Sequence, residues 1–173
     1  MGLRAASLIR DIPDFPEPGI VFKDITPILR DPQAYREVVG LLSEGVAQLQ
    51  GEVVCGVESR GFLFGAPVAL DLGLPFVPLR KPGKLPYRTT SEEYELEYGS
   101  SAIEIHVDAI NAGERVVIID DLLATGGTAA AANRLIARAG GVIAGSMFVI
   151  ELGFLKGRDK LTAGDVRSLI LFE

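Results

Sequence analysis

Two adjacent carboxylates and a glycine-rich turn lie close together in the second half of the chain. Asp120 and Asp121 end a run of apolar, β-branched residues, and Thr125-Gly126-Gly127-Thr128 follows shortly after them. Two glycines allow successive backbone N–H groups to converge on one anion at a helix start, and the threonine hydroxyls add donors. Carboxylates repel that anion, but they accept hydrogen bonds from vicinal sugar hydroxyls or hold the waters of a magnesium ion. A phosphate site beside a diol site indicates a ribose phosphate as ligand.

The same residues could instead form an ordinary strand-to-helix turn with a solvated acidic pair. We favour ligand binding because the acidic pair and the Thr-Gly-Gly-Thr turn occur together at the predicted carboxyl end of a strand. In open α/β sheets, ligands bind beyond the carboxyl ends of the strands.

A basic cluster offers further contacts for an anionic ligand. The net charge is −6, so an anion needs a local group of cations, and the acidic balance opposes nucleic-acid and membrane-surface binding. Arg80, Lys81, Lys84 and Arg88 follow a predicted strand with no acid between them, and the segment Glu58-Ser59-Arg60-Gly61-Phe62 follows another. A charge run is usually a solvated face, but the position after a strand end favours anion contact.

Alternating strands and helices must position these residues. Continuous apolar runs predict strands that are covered on both faces, and helical periodicity or loops separate them. The predicted strands are Val53–Val57, Phe76–Leu79, Arg115–Asp120 and Val142–Glu151. This order is typical of an α/β fold with a mostly parallel central sheet flanked by helices.

Helices are predicted at three places. Apolar residues recur at helical spacing over Pro32–Leu49, where Asp31 is placed to cap the helix, and over Ala129–Ala139. A short helix is predicted for Leu3–Ile12, before an irregular, proline-rich loop over residues 14–19.

The segment from Leu85 to His106 departs from this pattern. It is polar and glutamate-rich, and two β-prone stretches, Tyr94–Tyr98 and Ala102–Val107, predict a protruding hairpin or mobile lid. His106 is interpreted as structural, because no second histidine or acidic partner gives it metal-ligand spacing.

Length and cysteine content set the remaining expectations. The chain of 173 residues has the size of one compact domain. Its only cysteine, Cys55, lies in an apolar run and is expected to be a buried, reduced thiol. No secretory signal or membrane-spanning segment is recognised, so we expect a cytoplasmic protein.

The segment Asp-Asp-Leu-Leu-Ala-Thr-Gly-Gly-Thr resembles the signature of the type I phosphoribosyltransferases, which bind 5-phosphoribosyl 1-pyrophosphate (PRPP), in the form found in the adenine phosphoribosyltransferases. The resemblance extends over nearly the whole chain. It implies one domain over residues 1–173 with the type I phosphoribosyltransferase fold, an N-terminal hood over residues 1–30 and a flexible lid over residues 84–104. It also implies a homodimer, and transfer of the phosphoribosyl group of PRPP to adenine, giving AMP and pyrophosphate.

The resemblance assigns roles to individual residues. Asp120 and Asp121 hold the ribose hydroxyls, and the 5′-phosphate lies against Ala124, Thr125, Gly126, Gly127 and Thr128. Pyrophosphate is received by Ser59, Arg60, Lys81 and Lys84, and the base lies near Val21, Phe22 and Lys23. Glu97, in Leu96-Glu97-Tyr98-Gly99, acts on the purine ring. The Mg²⁺ cofactor is expected to bind mainly substrate oxygens and water near the acidic pair, without direct protein ligands. The stretch from Gly153 to Leu161 also resembles the adenine enzymes, but no chemistry is assigned to it.

Two alternatives stay open at this point. One is transfer to a six-oxo purine, namely hypoxanthine, guanine or xanthine, from which only the hood and lid resemblance separates adenine. The other is a regulatory nucleotide-binding protein that keeps the PRPP fold, which the acidic charge and the lack of a separate DNA-binding segment oppose.

Overall fold

The computed structural model describes residues 2–95 and 99–173. The chain divides into two compact units, Met1–Leu41 and Leu42–Glu173. The strands are β1 (Arg10–Pro13), β2 (Val21–Asp24), β3 (Val53–Val57), β4 (Phe76–Leu79), β5 (Thr89–Glu95), β6 (Ser100–His106), β7 (Arg115–Leu123), β8 (Val142–Leu152) and β9 (Asp165–Phe172). The α-helices are α1 (Thr26–Arg30), α2 (Pro32–Gln48), α3 (Arg60–Leu72) and α4 (Gly127–Arg138), and short 3-10 helices cover Arg4–Leu8, Gly153–Leu155 and Gly157–Lys160.

The first unit contains an antiparallel hairpin, in which β1 pairs with β2 from Arg10 opposite Asp24 to Pro13 opposite Val21. The helix predicted for residues 3–12 is therefore wrong, because only Arg4–Leu8 is helical, as a 3-10 turn. Pairing with β2 supplies the backbone hydrogen bonds that a continued helix would otherwise provide. The Arg10 guanidinium also pairs with Asp24 at 2.5 Å, an interaction between side chains that no local periodicity reveals.

A five-stranded parallel sheet organises the second unit, with strand order β4-β3-β7-β8-β9. Every residue of β3 is buried, including Cys55, a free thiol. The four predicted strands and the predicted fold class are confirmed. β7 runs three residues beyond the predicted Asp120, to Leu123. The edge strand β9 was missed, and its residues are mostly only partly buried, whereas the inner strand β3 is buried throughout.

Helices α3 and α4 pack against strands of the central sheet, and α4 carries residues that face its core. Helix α2 keeps its predicted start, where Asp31 Oδ1 accepts hydrogen bonds from the N–H groups of Gln33 and Ala34, both at 3.0 Å. Helix α4 begins at Gly127, two residues before the predicted Ala129, and buries Leu135 within the core. Each of these two helices therefore follows the turn or cap that the sequence places before it.

The predicted hairpin is confirmed for the described residues, with β5 antiparallel to β6 from Thr89 opposite His106 to Glu95 opposite Ser100. The first strand begins five residues before the predicted Tyr94, at Thr89, which pairs with His106. Within it, Glu92 forms ion pairs with Arg134 (2.6 Å) and Arg138 of α4. These contacts hold the hairpin against the helix that follows the Thr-Gly-Gly-Thr turn. The mobility of the lid stays a prediction.

His106 lies at the end of β6. Its Nε2 accepts a hydrogen bond from the backbone N–H of Tyr87 at 3.3 Å, and the two rings meet edge to face. These contacts give the histidine a structural role of the kind that the sequence indicated. Within residues 2–95 and 99–173, no helix combines the length and the apolarity needed to cross a membrane.

Candidate active site

A cleft of about 320 Å³ opens at the carboxyl edge of the sheet. Strand β7 forms its floor through Asp120 and Asp121, and residues 124–128, which we call the phosphate loop, form one wall. Gly126 adopts the left-handed conformation with φ of 79°, which a side chain would strain, and α4 starts at the next residue. The predicted acidic pair and the predicted phosphate-binding residues therefore line one cleft.

The two carboxylates lie in different surroundings. Asp121 is only 3% exposed, and its Oδ2 forms an ion pair with Arg60, 2.8 Å from Arg60 Nε. The backbone N–H of Asp121 donates to Asp120 Oδ1 at 2.9 Å. Asp121 is thus held by a cation, whereas Asp120 faces the cleft with one oxygen tied to the backbone.

Burial raises the pKa of both carboxyls. Burial, and then the charge of Asp121, raise the pKa of Asp120 well above its ordinary value. Burial also raises the pKa of Asp121, although the Arg60 guanidinium opposes the shift. Ionisation of both carboxyls at once is therefore disfavoured, and the nearby Arg60 guanidinium offsets part of this cost.

The loop after β3 forms the opposite side of the cleft, with Ser59 and Arg60 in its lining. The Glu58–Ser59 peptide bond is cis. Helix α3 starts so close to β7 that a Cβ on Gly61 would lie 2.7 Å from the carbonyl oxygen of Ile119. A glycine is therefore required directly after Arg60 if that arginine is to reach the acidic pair.

Glu58 organises the basic cluster, a role that sequence reasoning missed. Its carboxylate accepts hydrogen bonds from the backbone N–H of Lys81 (2.9 Å) and from the Arg80 guanidinium (3.2 and 3.3 Å). Burial alone would raise the pKa of Glu58, but the Lys81 N–H and then Arg80 lower it below the ordinary value. The only sequence signal was its position beside Ser59 at a strand end.

The members of the basic cluster point to different partners. Lys81 lines the cleft, whereas Lys84 does not, and its carbonyl instead accepts a hydrogen bond from Arg80 at 3.0 Å. Arg88 lies over the Tyr87 ring, 5.6 Å from its centre. Lys81 is therefore the predicted pyrophosphate-binding lysine that the structure places in the cleft wall.

The hairpin contributes Tyr94 and Ser101 to the lining of the cleft. Sequence reasoning missed both, because Tyr94 lies between Glu93 and Glu95 in a segment that is typical of solvated residues, and Ser101 carries no charge that would mark it as a ligand contact. Glu97, the predicted catalytic residue of the lid, lies outside the described residues.

The predicted base-binding residues belong to the first unit, where they form most of β2. Val21 is half-exposed, and Phe22 packs edge to face on Phe15 with 5.1 Å between ring centres. Lys23 Nζ pairs with Asp11 at 2.6 Å.

Comparison with known proteins of similar sequence and fold decides the family. Residues 24–168 match the family model of the phosphoribosyl transferase domain. The chain belongs to the phosphoribosyltransferase family. It is 57% identical over 164 residues to an adenine phosphoribosyltransferase of Desulfitobacterium hafniense, covering 95% of each chain.

Solved structures of the family agree with this assignment. An adenine phosphoribosyltransferase from Thermoanaerobacter pseudethanolicus superposes with a TM-score of 0.94 at 52% identity, over 97% of this chain and 98% of that one. The Saccharomyces cerevisiae enzyme, solved with D-2,5-dideoxy-2,5-imino-altritol 1,6-bisphosphate and adenine, gives 0.89 at 44% identity over 95% and 96%. The type I phosphoribosyltransferase fold that the signature implied is confirmed.

The raised pKa of Asp120 predicts a stability that depends on pH. The folded protein holds this proton more tightly than the unfolded chain, so this carboxyl lowers stability as the pH rises above its unfolded pKa of about 3.9. Asp120→Asn keeps an oxygen for the Asp121 N–H but cannot ionise, so its midpoint in urea should exceed that of the parent at pH 7. The difference should shrink as the pH falls towards about 4. Asp71→Asn, at an exposed position of α3, is the control and should show no such trend. A midpoint for Asp120→Asn at or below that of the parent at pH 7 would contradict the expectation.

Proposed function

We propose that the cleft at the carboxyl end of β7 is where this chain transfers the 5-phosphoribosyl group of PRPP to adenine, giving AMP and pyrophosphate in purine salvage. The relatives and solved structures give the reaction. The observation that supports its location is the phosphate loop and the acidic pair lining one cleft, with Ser59, Arg60 and Lys81 opposite them.

Each side of the cleft suits one part of PRPP. The backbone N–H groups of residues 124–128 and the positive end of α4 would hold the 5′-phosphate. Asp120 would accept hydrogen bonds from the ribose hydroxyls, and Asp121 would share this task while paired with Arg60. Ser59, Arg60 and Lys81 would bind pyrophosphate, and Lys84 would add longer-range charge. The three contacts together would fix the anomeric carbon between the base and the leaving group.

The transfer itself needs no protein nucleophile. As the bond to pyrophosphate breaks, positive charge develops on the ribose and negative charge on the leaving group. Carboxylates beneath the sugar and cations beside pyrophosphate stabilise both charges at once. Cys55 cannot take part, because it is fully buried in β3 and burial raises the pKa of its thiol.

A magnesium ion fits this site through the substrate rather than through a protein cage. In the part of the chain that the structure describes, no three His, Cys, Asp or Glu side chains converge as metal ligands. The donors present suit an ion held mainly by pyrophosphate oxygens and water, with Asp120 available to those waters. When bound, Mg²⁺ would neutralise charge on the departing pyrophosphate.

The base and the assembly complete the proposal. By family resemblance, Val21, Phe22 and Lys23 contact adenine. The same resemblance supports a homodimer, which the molar mass in solution would test. The free, buried Cys55 suits the reducing conditions of the cytoplasm.

Adenine should be used in preference to the six-oxo purines by orders of magnitude in kcat/KM. A buried base site that matches an amino group leaves polar groups unpaired when it receives an oxo group. Initial rates with adenine, hypoxanthine, guanine and xanthine at saturating PRPP would measure this preference. Comparable rates with a six-oxo purine would identify a different salvage enzyme.

The double substitution Thr125→Ala/Thr128→Ala should weaken AMP binding by about 10²- to 10⁴-fold, because each of the two lost hydrogen bonds to a charged group is worth about 1.5–3 kcal/mol. Pyrophosphate binding, which uses the other side of the cleft, should change little. Isothermal titration with AMP and with magnesium pyrophosphate would separate the two effects. Thr162→Ala, at an exposed position outside the cleft lining, is the control. Unchanged AMP affinity in the double variant would place the phosphate elsewhere.

Glu97→Gln should slow AMP formation in a single turnover if that carboxylate accepts a proton from the purine or orients it, an effect of roughly 10²-fold or more for general-base catalysis. Rapid-quench measurements of one turnover isolate this step from product release. Glu93→Gln, in β5 and within the predicted lid, is the control. An unchanged chemical step in Glu97→Gln would remove this residue from the mechanism.

A further inference from the structure

The stretch after β8, to which no chemistry was assigned, lies in backbone contact with the phosphate loop. A Cβ on Gly157 would lie 2.1 Å from the carbonyl oxygen of Ala124 and 2.9 Å from the backbone nitrogen of Gly126. In the opposite direction, a Cβ on Gly126 would lie 2.3 Å from the carbonyl oxygen of Gly157. Two glycines thus allow two backbones to touch where a single methyl group would separate them.

Gly157 is buried, although its neighbours Lys156 and Arg158 are exposed. Lys156 adopts a left-handed conformation with φ of 52°, and the turn that follows directs Gly157 towards the loop. A short surface segment with a buried glycine is typical of a place where another backbone must approach closely.

Charged and apolar contacts anchor this segment on both sides of Gly157. The Arg158 guanidinium forms two hydrogen bonds with Glu151, at 3.0 and 2.6 Å, and also donates to the carbonyl of Val166. Glu151 is only 6% exposed and lies in β8, the strand that pairs with β7 in the sheet. Ser168 of β9 donates to the same carboxylate at 2.5 Å. The segment is therefore fixed to two strands of the central sheet.

The other end of the segment enters the core on which the loop rests. Leu161 is buried in a cluster with Leu123, Ala129, Ala130 and Phe148. Leu123 directly precedes the phosphate loop and Ala129 directly follows it. Residues 157–161, which we call the buttress segment, thus contact the loop itself through Gly157 and share a core cluster with both of its flanks through Leu161.

We propose that the buttress segment is a positioning element for the reaction, with Gly157 setting the spacing of the phosphate loop and the Glu151–Arg158 pair holding Gly157 in place. This inference rests on the proposed role of residues 124–128 in binding the 5′-phosphate. Converging N–H groups bind an anion well only when their spacing is fixed beforehand, and a displacement of about 1 Å can cost about 10²-fold in rate. The contacts of Gly157 fall on Ala124 and Gly126, two of the residues that must keep this spacing.

Gly157→Ala tests the proposal, and Gly153→Ala is its matched control. Neither glycine lies in the left-handed region, so alanine is allowed by the backbone at both positions. At Gly153 the nearest neighbours of the new methyl group would be the flexible side chain of Leu171 at 3.0 Å and, at the ordinary contact distance of 3.4 Å, the carbonyl oxygen of Phe172, whereas at Gly157 it would lie 2.1 Å from the loop backbone. The two variants add the same group to the stretch after β8 and differ in what that group contacts.

Titration calorimetry with AMP and with magnesium pyrophosphate supplies the readout. For Gly157→Ala we expect the Kd of AMP to rise by about 10- to 100-fold, while the Kd of pyrophosphate stays near that of the parent and of Gly153→Ala. A purely structural role would weaken both ligands together or lower only the melting temperature. Either of those results, or an unchanged AMP affinity, would overturn the proposal.

If Gly157→Ala does not fold, Arg158→Lys tests the positioning role of the buttress segment instead. Lysine keeps the charge but cannot form the paired hydrogen bonds to Glu151. AMP binding should weaken while pyrophosphate binding is retained; equal losses, or none, would overturn the proposal.

Failure of the buttress is distinguishable from failure of the proposed function. If Thr125→Ala/Thr128→Ala weakens AMP binding and the two buttress variants do not, only the buttress inference falls. If the threonine variant also binds AMP normally, the phosphate role of the loop is wrong.

Discussion

The structure depends on a placement of opposite charges at the end of β7, where two adjacent carboxylates, one of them buried, lie beside the positive end of a helix. Adjacent acids repel one another, and the repulsion grows as they are removed from water. The Arg60–Asp121 ion pair relieves part of the repulsion. The cleft is thereby suited to a ligand that carries a phosphate and hydroxyl groups a few ångströms apart.

The ion pairs around the cleft connect separate parts of the chain rather than neighbours in sequence. Arg60 joins the loop after β3 to β7, and Glu58 joins the same loop to the segment after β4 through Arg80 and Lys81. Glu92 joins the hairpin to α4. Exposed ion pairs contribute little to stability, but carboxylates as buried as Asp121 leave an uncompensated charge when a partner is lost. The main effect of these ion pairs is therefore to fix the relative positions of the loops that a phosphoribosyltransferase must bring together around one substrate.

Glycines set the distances that these charged groups then exploit. Gly61 lets α3 approach the end of β7, and Gly126 with Gly157 lets the segment after β8 touch the phosphate loop. At each of these positions the limiting contact is a backbone carbonyl, which cannot move aside as a flexible side chain can. Close packing of backbones and precise placement of ligand-binding groups are thus achieved by the same residues.

Local patterns were sufficient for the inner strands, the capped helix α2 and the turn before α4. A buried parallel strand needs a continuous apolar run, and a helix start needs a cap. Both patterns depend only on residues that are adjacent in sequence, so the sequence predicts them. Local patterns failed for β1 and β9, whose structure depends on a partner strand elsewhere in the chain. Tyr94, Ser101 and Glu58 were missed at the site for a similar reason, since a side chain at the cleft wall differs from a solvated one only in what lies opposite.

The sequence by itself determined the family, the fold class and the chemical character of the cleft, because the acidic pair, the glycine turn and the basic residues are contiguous motifs placed at strand ends. Only the tertiary structure decided which lysine faces the cleft, that Arg60 is paired with Asp121, and that Gly157 lies against Ala124. Those facts depend on distances between residues far apart in the chain, and such distances arise only when the sheet, helices and loops pack together.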